Sequence, residues 1–496
     1  MLWGALALAL LLWPAAGRTV TPPDLVIEGE VTRDDHETYI ERAFLVPAGT
    51  QQISVSFSHQ GAADRTTIDL GVRDPDRFRG WSGGARTGFS LSAEAATPGY
   101  LPGPLPSGDW ALILGVPNIR EGVRTRYRAE IRFDAGGPAR PSFPAQGHAA
   151  PGWWRGDLHV HSGHSDGTCR SRRGAVVPCP LFRIAESAAQ RGLDFVALTE
   201  HNATSHAQGL TELQPYFDDL LLMAGRELTT FQGHANLFGL SGPLEFRLGH
   251  PGAEDINAVL AAAQRGGAMV SVNHPRMPSG EACMGCGWRA ATDWSKVDAI
   301  EVLNGGAVAA FGGRAESPLG GIGFWEDLLD AGHRLTAIAG SDSHDPDRPS
   351  DRPGALGRPA TVVAAETLDQ DLLLEGVRAG RVFVDLTHPG LSRFDLIARA
   401  GDAGARMGGA LAAPAGTEIA FQVIVEDAAG ARVEVVETGR RVTRLAAGET
   451  RFTRTSDGAP GWVRVNLRDT DGALLALGNP IYLNPRPPKA VSRRRP

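Results

Sequence analysis

Residues 155–167, with the sequence RGDLHVHSGHSDG, place His159, His161 and Asp166 close together. His159 and His161 are two residues apart, and side chains at positions i and i+2 of a strand point to the same face. Both imidazoles can therefore bind one metal ion. The turn through residues 165–167 can bring Asp166 to the same end of the strand. This spacing predicts one edge of a metal site.

Further candidate ligands accompany apolar segments that are typical of buried strands. Most of them lie at or just after the end of a predicted strand, and one, His234, opens a strand. These residues are His201, Glu227, His234, His274, Asp342 and His344. In a parallel α/β barrel the carboxyl ends of the strands hold the active site. We therefore expect these side chains to meet the first three.

The joint pattern, rather than any one residue, indicates metal binding. A lone histidine is more often a capping or core residue, but six of the 14 histidines take part in this pattern. Imidazole and carboxylate ligands suit zinc, manganese or iron. One ion cannot use nine ligands. We therefore expect two or three divalent metal ions, with at least one bridging carboxylate.

The elements that must position these residues form an α/β region over 153–390. Apolar strands at 195–198, 268–272, 299–303 and 335–339 alternate with helical stretches. The predicted helices are 181–190, 255–264, 325–331 and 368–379. Strands that are buried on both faces and separated by helices predict a parallel sheet, and their repetition favours a barrel.

Period-2 alternation on both sides of this region predicts two antiparallel β-sandwiches, at 19–135 and 391–485. A Pro/Gly/Ala-rich linker occupies 136–152, and residues 486–496 form a predicted disordered tail. The fold class is therefore α/β, with a barrel flanked by N-terminal and C-terminal β-sandwich domains. The length of 496 residues agrees with more than one domain.

The first 17 residues predict a signal peptide. A short Ala/Leu-rich run precedes small residues, and it is shorter than the ~20 residues that a membrane span requires. We therefore expect an exported protein, periplasmic or extracellular, with no integral membrane span. The net charge of −7 argues against nucleic acid as a partner.

The four cysteines form two local pairs, Cys169 with Cys179 and Cys283 with Cys286. In an exported protein this pattern favours disulfides. A four-thiolate zinc knot, free thiols and a redox-active CxxC motif are the alternatives.

As an ordered set, the motifs resemble those of the polymerase and histidinol phosphatase (PHP) metallohydrolase family over residues 153–390. The matching pieces are DLHVH (157–161), SDG (165–167), TEHN (199–202), GRE (225–227), NHP (273–275) and GSDSH (340–344). The resemblance implies a distorted (β/α)7 barrel with a trinuclear metal site. The signal peptide, the preceding β-domain and the ending GNPIY (478–482) resemble the secreted branch that contains carbaryl hydrolases.

The resemblance also implies how the ligands divide among three ions. His159, His161, Glu227 and Asp342 would bind the first ion. Glu227 would bridge to a second ion held by His234 and His274, and Asp166, His201 and His344 would bind the third. Some family members have histidine where this chain has Asp166.

The expected activity is hydrolysis of a phosphoester or of a carboxyl or carbamate ester in a small molecule, by a metal-activated water. We expect catalytic roles for Asp166, His201 and Arg276, and contacts from Arg276 and Asn304 to substrate oxygens. A surface arginine paired with a loop carboxylate is the alternative for Arg276. A non-catalytic surface or glycan-binding protein that keeps its metals for stability is the alternative function.

Overall fold

The computed structural model describes residues 22–134 and 150–485, apart from residues 94, 241, 243, 281, 282, 311, 388 and 389. The predicted signal peptide, most of the predicted linker and the predicted tail lie outside the described residues. The described chain is a mixed α/β protein in which strands predominate. It divides into two units, residues up to Ser90 with Pro106–Phe133, and Leu91–Leu105 with the residues from Asp134 onward.

Two four-stranded sheets form the first unit within the described residues, in the orders β1-β8-β3-β6 and β2-β7-β4-β5. The strands are β1 (Leu25–Val31), β2 (Tyr39–Val46), β3 (Gln52–His59), β4 (Thr67–Arg73), β5 (Phe78–Trp81), β6 (Gly88–Ser92), β7 (Gly108–Asn118) and β8 (Thr125–Asp134). In β3, Ile53, Val55 and Phe57 are buried in alternation. The Phe44 ring of one sheet lies 6.3 Å from the Phe133 ring of the other. These features agree with the predicted β-sandwich.

The second unit is built around a long sheet. Its first strands are β9 (Gly152–Val160), β12 (Phe195–His201), β13 (Leu221–Thr230), β14 (Gly233–Phe238), β15 (Met269–Val272), β16 (Ala299–Asn304), β17 (Thr336–Gly340), β18 (Ala360–Ala365) and β19 (Val382–Asp385). The hydrogen-bonded order is β17-β16-β15-β14-β13-β12-β9-β18-β19. A separate hairpin consists of β10 (Thr168–Arg170) and β11 (Val176–Pro178).

This sheet is not wholly parallel, contrary to the expectation from sequence. The pairs β9–β12, β12–β13, β15–β16 and β16–β17 are parallel, whereas β14 is antiparallel to both of its neighbours. Only Phe231 and Gln232 separate β13 from β14. Two residues suffice for a hairpin but not for the crossover that parallel strands need.

The two ends of the row β9–β17 are joined by hydrogen bonds. Asp342, just after β17, donates its backbone N–H to the carbonyl of His159 over 2.8 Å. The backbone N–H of His161 donates to the carbonyl of Ser343 over 3.0 Å. The residues that follow β17 therefore lie beside the carboxyl end of β9.

The same sheet continues into the C-terminal region, because β28 (Leu474–Gly478) pairs with β19. The remaining strands are β20 (Arg393–Ala400), β21 (Ala403–Arg406), β22 (Ala410–Leu411), β23 (Glu418–Glu426), β24 (Arg432–Glu437), β25 (Arg441–Arg444), β26 (Arg451–Thr455), β27 (Gly461–Arg468), β28 (Leu474–Gly478) and β29 (Ile481–Leu483). A four-stranded sheet, β21-β20-β23-β26, packs with them around Phe394, Phe421 and Val465. The layers agree with sandwich-like packing.

Six α-helices occur in the described residues: α1 (Leu181–Gln190), α2 (His206–Leu213), α3 (Ile256–Arg265), α4 (Gly305–Ala310), α5 (Ile322–Asp330) and α6 (Gln370–Arg378). Helix α1 buries Leu181, Ile184, Ala185 and Ala188, which recur at helical spacing. None of the helices in this part of the chain is long and apolar enough to cross a membrane.

Candidate metal centre

All nine predicted ligands converge at one end of the β9–β17 row. They are carried by strand ends and by the turns that follow them. His159 is in β9, His201 in β12, Glu227 in β13 and His234 in β14, while His161, Asp166, His274, Asp342 and His344 lie in the segments that follow β9, β15 and β17. The antiparallel β14 contributes through its beginning, because its direction is reversed.

Glu227 is the centre of this group. Its carboxylate is buried and lies near five imidazoles. The nitrogen–oxygen distances are 3.4 Å to His159 Nε2, 3.6 Å to His161 Nε2, 2.8 Å to His201 Nδ1, 3.3 Å to His234 Nδ1 and 3.2 Å to His274 Nε2. One oxygen of this carboxylate, Oε1, faces His159, His234 and His274, and the other, Oε2, faces His161 and His201.

A second carboxylate, that of Asp342 in the segment after β17, lies near two of these imidazoles. Its Oδ1 lies 3.4 Å from His159 Nε2 and 3.3 Å from His161 Nε2. His159 and His161 thus have Glu227 and Asp342 beside their inner nitrogens. These four residues are the set that the resemblance assigns to the first ion.

Asp166 lies at the open edge of the site. Its carboxylate is 3.3 Å from His344 Nε2, 3.7 Å from His201 Nε2 and 4.0 Å from His161 Nδ1. The side chains of Asp166, His344 and His201 are 56%, 38% and 29% exposed, whereas that of Glu227 is 1% exposed. The site is therefore closed on one side and open to solvent on the other.

Glu301 was not predicted from sequence, and it orients two of the histidines. Its Oε1 lies 2.9 Å from His159 Nδ1, and its Oε2 accepts the backbone N–H of His274 at 2.8 Å. A carboxylate on the far nitrogen of an imidazole fixes the tautomer that leaves the near nitrogen free for a metal. The available signal was a carboxylate inside the apolar strand β16.

Two side-chain amides also contact the carboxylates of the site. Asn273 Nδ2 donates to Glu227 Oε1 over 3.0 Å. Asn304 Nδ2 contacts Glu301 Oε2 at 3.1 Å and Asp342 Oδ2 at 3.2 Å. Asn304 therefore lies at the site, where its contacts are with carboxylates of the protein, and a contact between Asn304 and substrate stays a prediction. Asn273 was not predicted as a site residue.

Arg276, by contrast, points to another carboxylate. Its Nη2 lies 3.2 Å from Asp327 Oδ2, and its guanidinium is 5.6 Å from the centroid of the Phe324 ring. Both partners belong to α5. The structure gives the arginine–carboxylate pairing, and a contact between Arg276 and substrate stays a prediction.

Several polar atoms at the centre are buried without a hydrogen-bond partner among the described residues. They are His159 Nε2, His161 Nε2, Glu227 Oε2, His234 Nδ1 and His274 Nδ1. An unsatisfied buried polar group costs about 1–3 kcal/mol. Their lone pairs fit divalent cations, and each of four residue groups brings its ligand atoms within 4.8 Å of one another. Those groups are His159/His161/Glu227, His159/His274/Asp342, His234/His274/Cys286 and His161/Asp166/His201/His344.

The acids and imidazoles shift one another's pKa. Burial raises the pKa of Glu227, but the positive charge of His159 and the close approach of the imidazoles of His159, His201 and His234 outweigh burial and hold that pKa well below its usual range. Burial lowers the pKa of His159, yet Asp342, Glu301 and Glu227 raise it well above its ordinary value. The site thus favours ionised carboxylates, which are the form that binds metal.

At the open edge the pKa values of Asp166 and His344 shift in opposite directions. Burial raises the pKa of Asp166, but the hydrogen bond from His344 and the charges of nearby imidazoles outweigh it and lower the pKa to about 2. Burial lowers the pKa of His344, but the hydrogen bond with Asp166 and the charge of Asp342 raise it to about 9. These two residues act as a charged pair.

Two candidate ligands have unusual backbone angles. The φ angle is 28° at His274 and 54° at Asp342. Positive φ in residues other than glycine costs about 1–3 kcal/mol and concentrates at functional sites. Here it turns each side chain toward Glu227 or His159 directly after a strand.

Both cysteine pairs lie at disulfide distance. Cys169 and Cys179 join the ends of the β10–β11 hairpin, with Cα atoms 4.9 Å apart, and Cys283 and Cys286 have Cα atoms 5.6 Å apart. Both separations are in the range of disulfides. The hairpin adjoins the segment that carries Asp166, since Cys179 N–H donates to the carbonyl of Gly167 over 2.9 Å.

Comparison of the chain with protein-family models, with curated proteins and with solved structures finds no match.

Proposed function

We propose that this protein is an exported, metal-dependent hydrolase that cleaves a phosphoester or a carboxyl or carbamate ester in a small molecule. The observation that carries the proposal is the convergence of nine imidazole and carboxylate side chains, five of which have a buried atom without a hydrogen-bond partner among the described residues. Such a donor set suits zinc, manganese or iron.

The shape of the site favours catalysis over a purely structural role for the ions. Structural metal sites are closed, whereas catalytic sites keep an open position. Here Asp166 is 56% exposed and His344 is 38% exposed, beside the buried Glu227. A small substrate has access from that side.

We further propose that β9 and β12–β17 form a distorted (β/α)7 barrel of the PHP type. The hydrogen-bonded row of seven strands and the two hydrogen bonds between its ends support this arrangement. The similarity of the motifs to the carbaryl-hydrolase-like branch is part of the same proposal.

In this proposal His159, His161, Glu227 and Asp342 would hold one ion. Glu227 would also contribute to a second, with His234 and His274, and Asp166, His201 and His344 would hold a third. Bound divalent ions would lower the pKa of a water molecule and polarise the phosphoryl or carbonyl oxygen of the substrate.

The side chains at the open edge would then transfer protons and bind the substrate. His201 Nδ1 is held by Glu227 at 2.8 Å and Thr229 Oγ1 at 2.7 Å, so its Nε2 faces Asp166. With the third ion bound, His201 would act by fixing that ion beside the substrate, and the Asp166 oxygen that does not bind the ion would accept a proton from the attacking water and return it to the leaving oxygen. Arg276 would contribute by leaving Asp327 for an anionic substrate group.

Export is supported by the two cysteine pairs at disulfide distance. Disulfides persist in oxidising compartments and are rare in the cytosol. The predicted location is therefore periplasmic or extracellular.

The test is turnover of three substrates by the mature protein loaded with zinc or manganese. A phosphomonoester, a phosphodiester and an aryl methylcarbamate are compared, with bound metal counted for each protein. His159→Ala should abolish turnover and reduce the metal count, whereas the exposed His250→Ala should change neither. Full metal occupancy without turnover of any substrate would oppose the hydrolase and favour a metal-stabilised binding protein. Absence of bound metal would overturn the metal centre.

A further inference from the structure

The loop after His274 folds back onto the candidate metal centre. Met277 N–H donates to the carbonyl of His274, and Trp288 N–H donates to the carbonyl of Pro275, each over 3.0 Å. This loop brings the buried sulfur of Cys286 next to two predicted ligands. One ligand atom each of His234, His274 and Cys286 lies within 4.8 Å of the other two.

Packing of the backbone fixes the position of Cys286 from both sides. Gly285 and Gly287 have φ angles of 83° and 80°, which glycine adopts without strain. A Cβ atom at Gly285 would lie 2.3 Å from the carbonyl oxygen of Thr230, and one at Gly287 would lie 2.5 Å from that of Met277. The backbone therefore lies close to β13 at Gly285 and close to the start of the same loop at Gly287, and neither approach involves the Cys286 sulfur.

The two neighbouring imidazoles supply an independent sign of a ligand. His234 and His274 are 4% and 3% exposed, and His234 Nδ1, the nitrogen that faces Glu227, has no hydrogen-bond partner among the described residues. Glu227 Oε1 lies 3.3 Å from His234 Nδ1 and 3.2 Å from His274 Nε2. With Cys286, the site would have two nitrogens, one oxygen and one sulfur, a set that suits four-coordinate zinc or cobalt.

We propose that Cys286 is a redox-dependent ligand of the ion held by His234 and His274. When Cys286 is joined to Cys283 in a disulfide, its sulfur is not a thiolate and does not bind that ion. When the pair is reduced, the Cys286 thiolate becomes the additional ligand. This inference rests on the proposed metal centre and adds a regulatory ligand to it.

The reductant is a dithiol, and its first attack falls on Cys283. Cys283 is only half-buried and adjoins Met284, which is 75% exposed, whereas Cys286 is buried. A thiolate of the dithiol bonds to the Cys283 sulfur, the disulfide bond breaks, and its electron pair leaves on Cys286 as a thiolate. The second thiol of the reductant then displaces Cys283, which takes up a proton, and the reductant becomes a cyclic disulfide.

Cobalt(II) provides a readout that does not depend on activity. A cysteine thiolate bound to cobalt gives a charge-transfer absorption in the near ultraviolet, which imidazole and carboxylate ligands do not give. The full mature chain is loaded with cobalt in its oxidised form, and again after treatment with dithiothreitol and anaerobic desalting. Bound cobalt is counted in each sample.

Two matched variants separate the outcomes. Cys283→Ser leaves Cys286 as a free thiol and should show the absorption without reductant, whereas Cys286→Ser should lack it in both states. The wild-type protein should show it only after reduction. Cobalt bound to the reduced wild type and to Cys283→Ser without the absorption would overturn the role of Cys286 while leaving the metal centre intact. Failure of all three proteins to bind cobalt would overturn both proposals.

Discussion

The two sides of the candidate metal centre differ in burial and in the elements that carry them. On the closed side, Glu227, His159 and His274 lie in or directly after strands and are almost fully buried. On the open side, Asp166 and His344 lie in turns and are 56% and 38% exposed. The closed side also contains the buried nitrogen and oxygen atoms that have no hydrogen-bond partner among the described residues.

This difference in burial implies different roles for the two sides. Ligands on the closed side are preorganised by strands and by Glu301, so little side-chain entropy is lost when they bind an ion. The side chains on the open side are less constrained and are accessible to solvent. We therefore expect the closed side to hold ions tightly and the open side to hold an ion weakly and to meet the substrate.

Glu227→Gln should have the largest effect, because it removes the charge shared by five imidazoles. We expect loss of at least two metal ions per chain, measured by elemental analysis. The chelated variant, that is, the variant freed of metal with a chelator, should also be less stable. We expect its free energy of unfolding in urea to fall by about 3–5 kcal/mol, the cost of breaking a buried charge pair. Glu375→Gln, on the exposed face of α6, is the matched control. A variant with the full metal content would contradict the bridging role of Glu227.

Glu301→Gln should weaken the closed side without removing a ligand. Loss of a carboxylate behind a metal-binding histidine typically costs 10–100-fold in affinity. Competition with a chromophoric chelator should therefore give an affinity lower by about that factor, with the metal content at saturation unchanged. Unchanged affinity would mean that Glu301 does not orient His159.

The candidate ligands on both sides were predicted from local patterns, whereas the residues that support them were not. Strand periodicity and the position of His201 and His274 after apolar segments were enough to propose the ligands. Glu301 and His159 are 142 residues apart in sequence. Such a pairing depends on which strands become neighbours, and local pattern does not encode that order.

The topology shows the same limit. Helix α1 occupies the predicted residues 181–190, because its apolar spacing and following Gly192 are local signals. The antiparallel β14 was not expected, since an apolar run such as 235–239 carries no mark of its direction. The pairing of β19 with β28, which extends the sheet into the C-terminal region, likewise depends on tertiary contacts.

Asp166→Asn tests the open side alone. Neutralising this carboxylate should remove one metal ion per chain and leave the others bound, because Asp166 contacts His344, His201 and His161 but not Glu227. The stability of the chelated protein should change by less than about 1 kcal/mol, as for exposed ion pairs. Asp351→Asn is the exposed control. Loss of every ion would show that the two sides are not separable.

The smallest effect should be the pH dependence of the open side in chelated protein. His344 has its pKa raised from 6.5 to about 9, so its stabilising contribution is complete below pH 6.5 and is lost as pH rises through 9. Asp166 has its pKa lowered from 3.8 to about 2, so its contribution is present above pH 3.8 and is lost as pH falls through 2. Of these two residues, only His344 changes its contribution between pH 6.5 and 9.5.

Thermal unfolding of chelated wild type and His344→Gln over that pH range isolates the contribution. Solvent weakens the interaction of these exposed side chains, so the difference in Tm between the proteins should shrink by on the order of 1–2 °C as pH rises. Metal-loaded wild type should show the opposite trend, because imidazoles must lose protons to bind metal and affinity therefore rises with pH. A Tm difference that stays constant with pH would show that His344 and Asp166 do not form a charged pair, and the open side would then differ from the closed side in exposure alone.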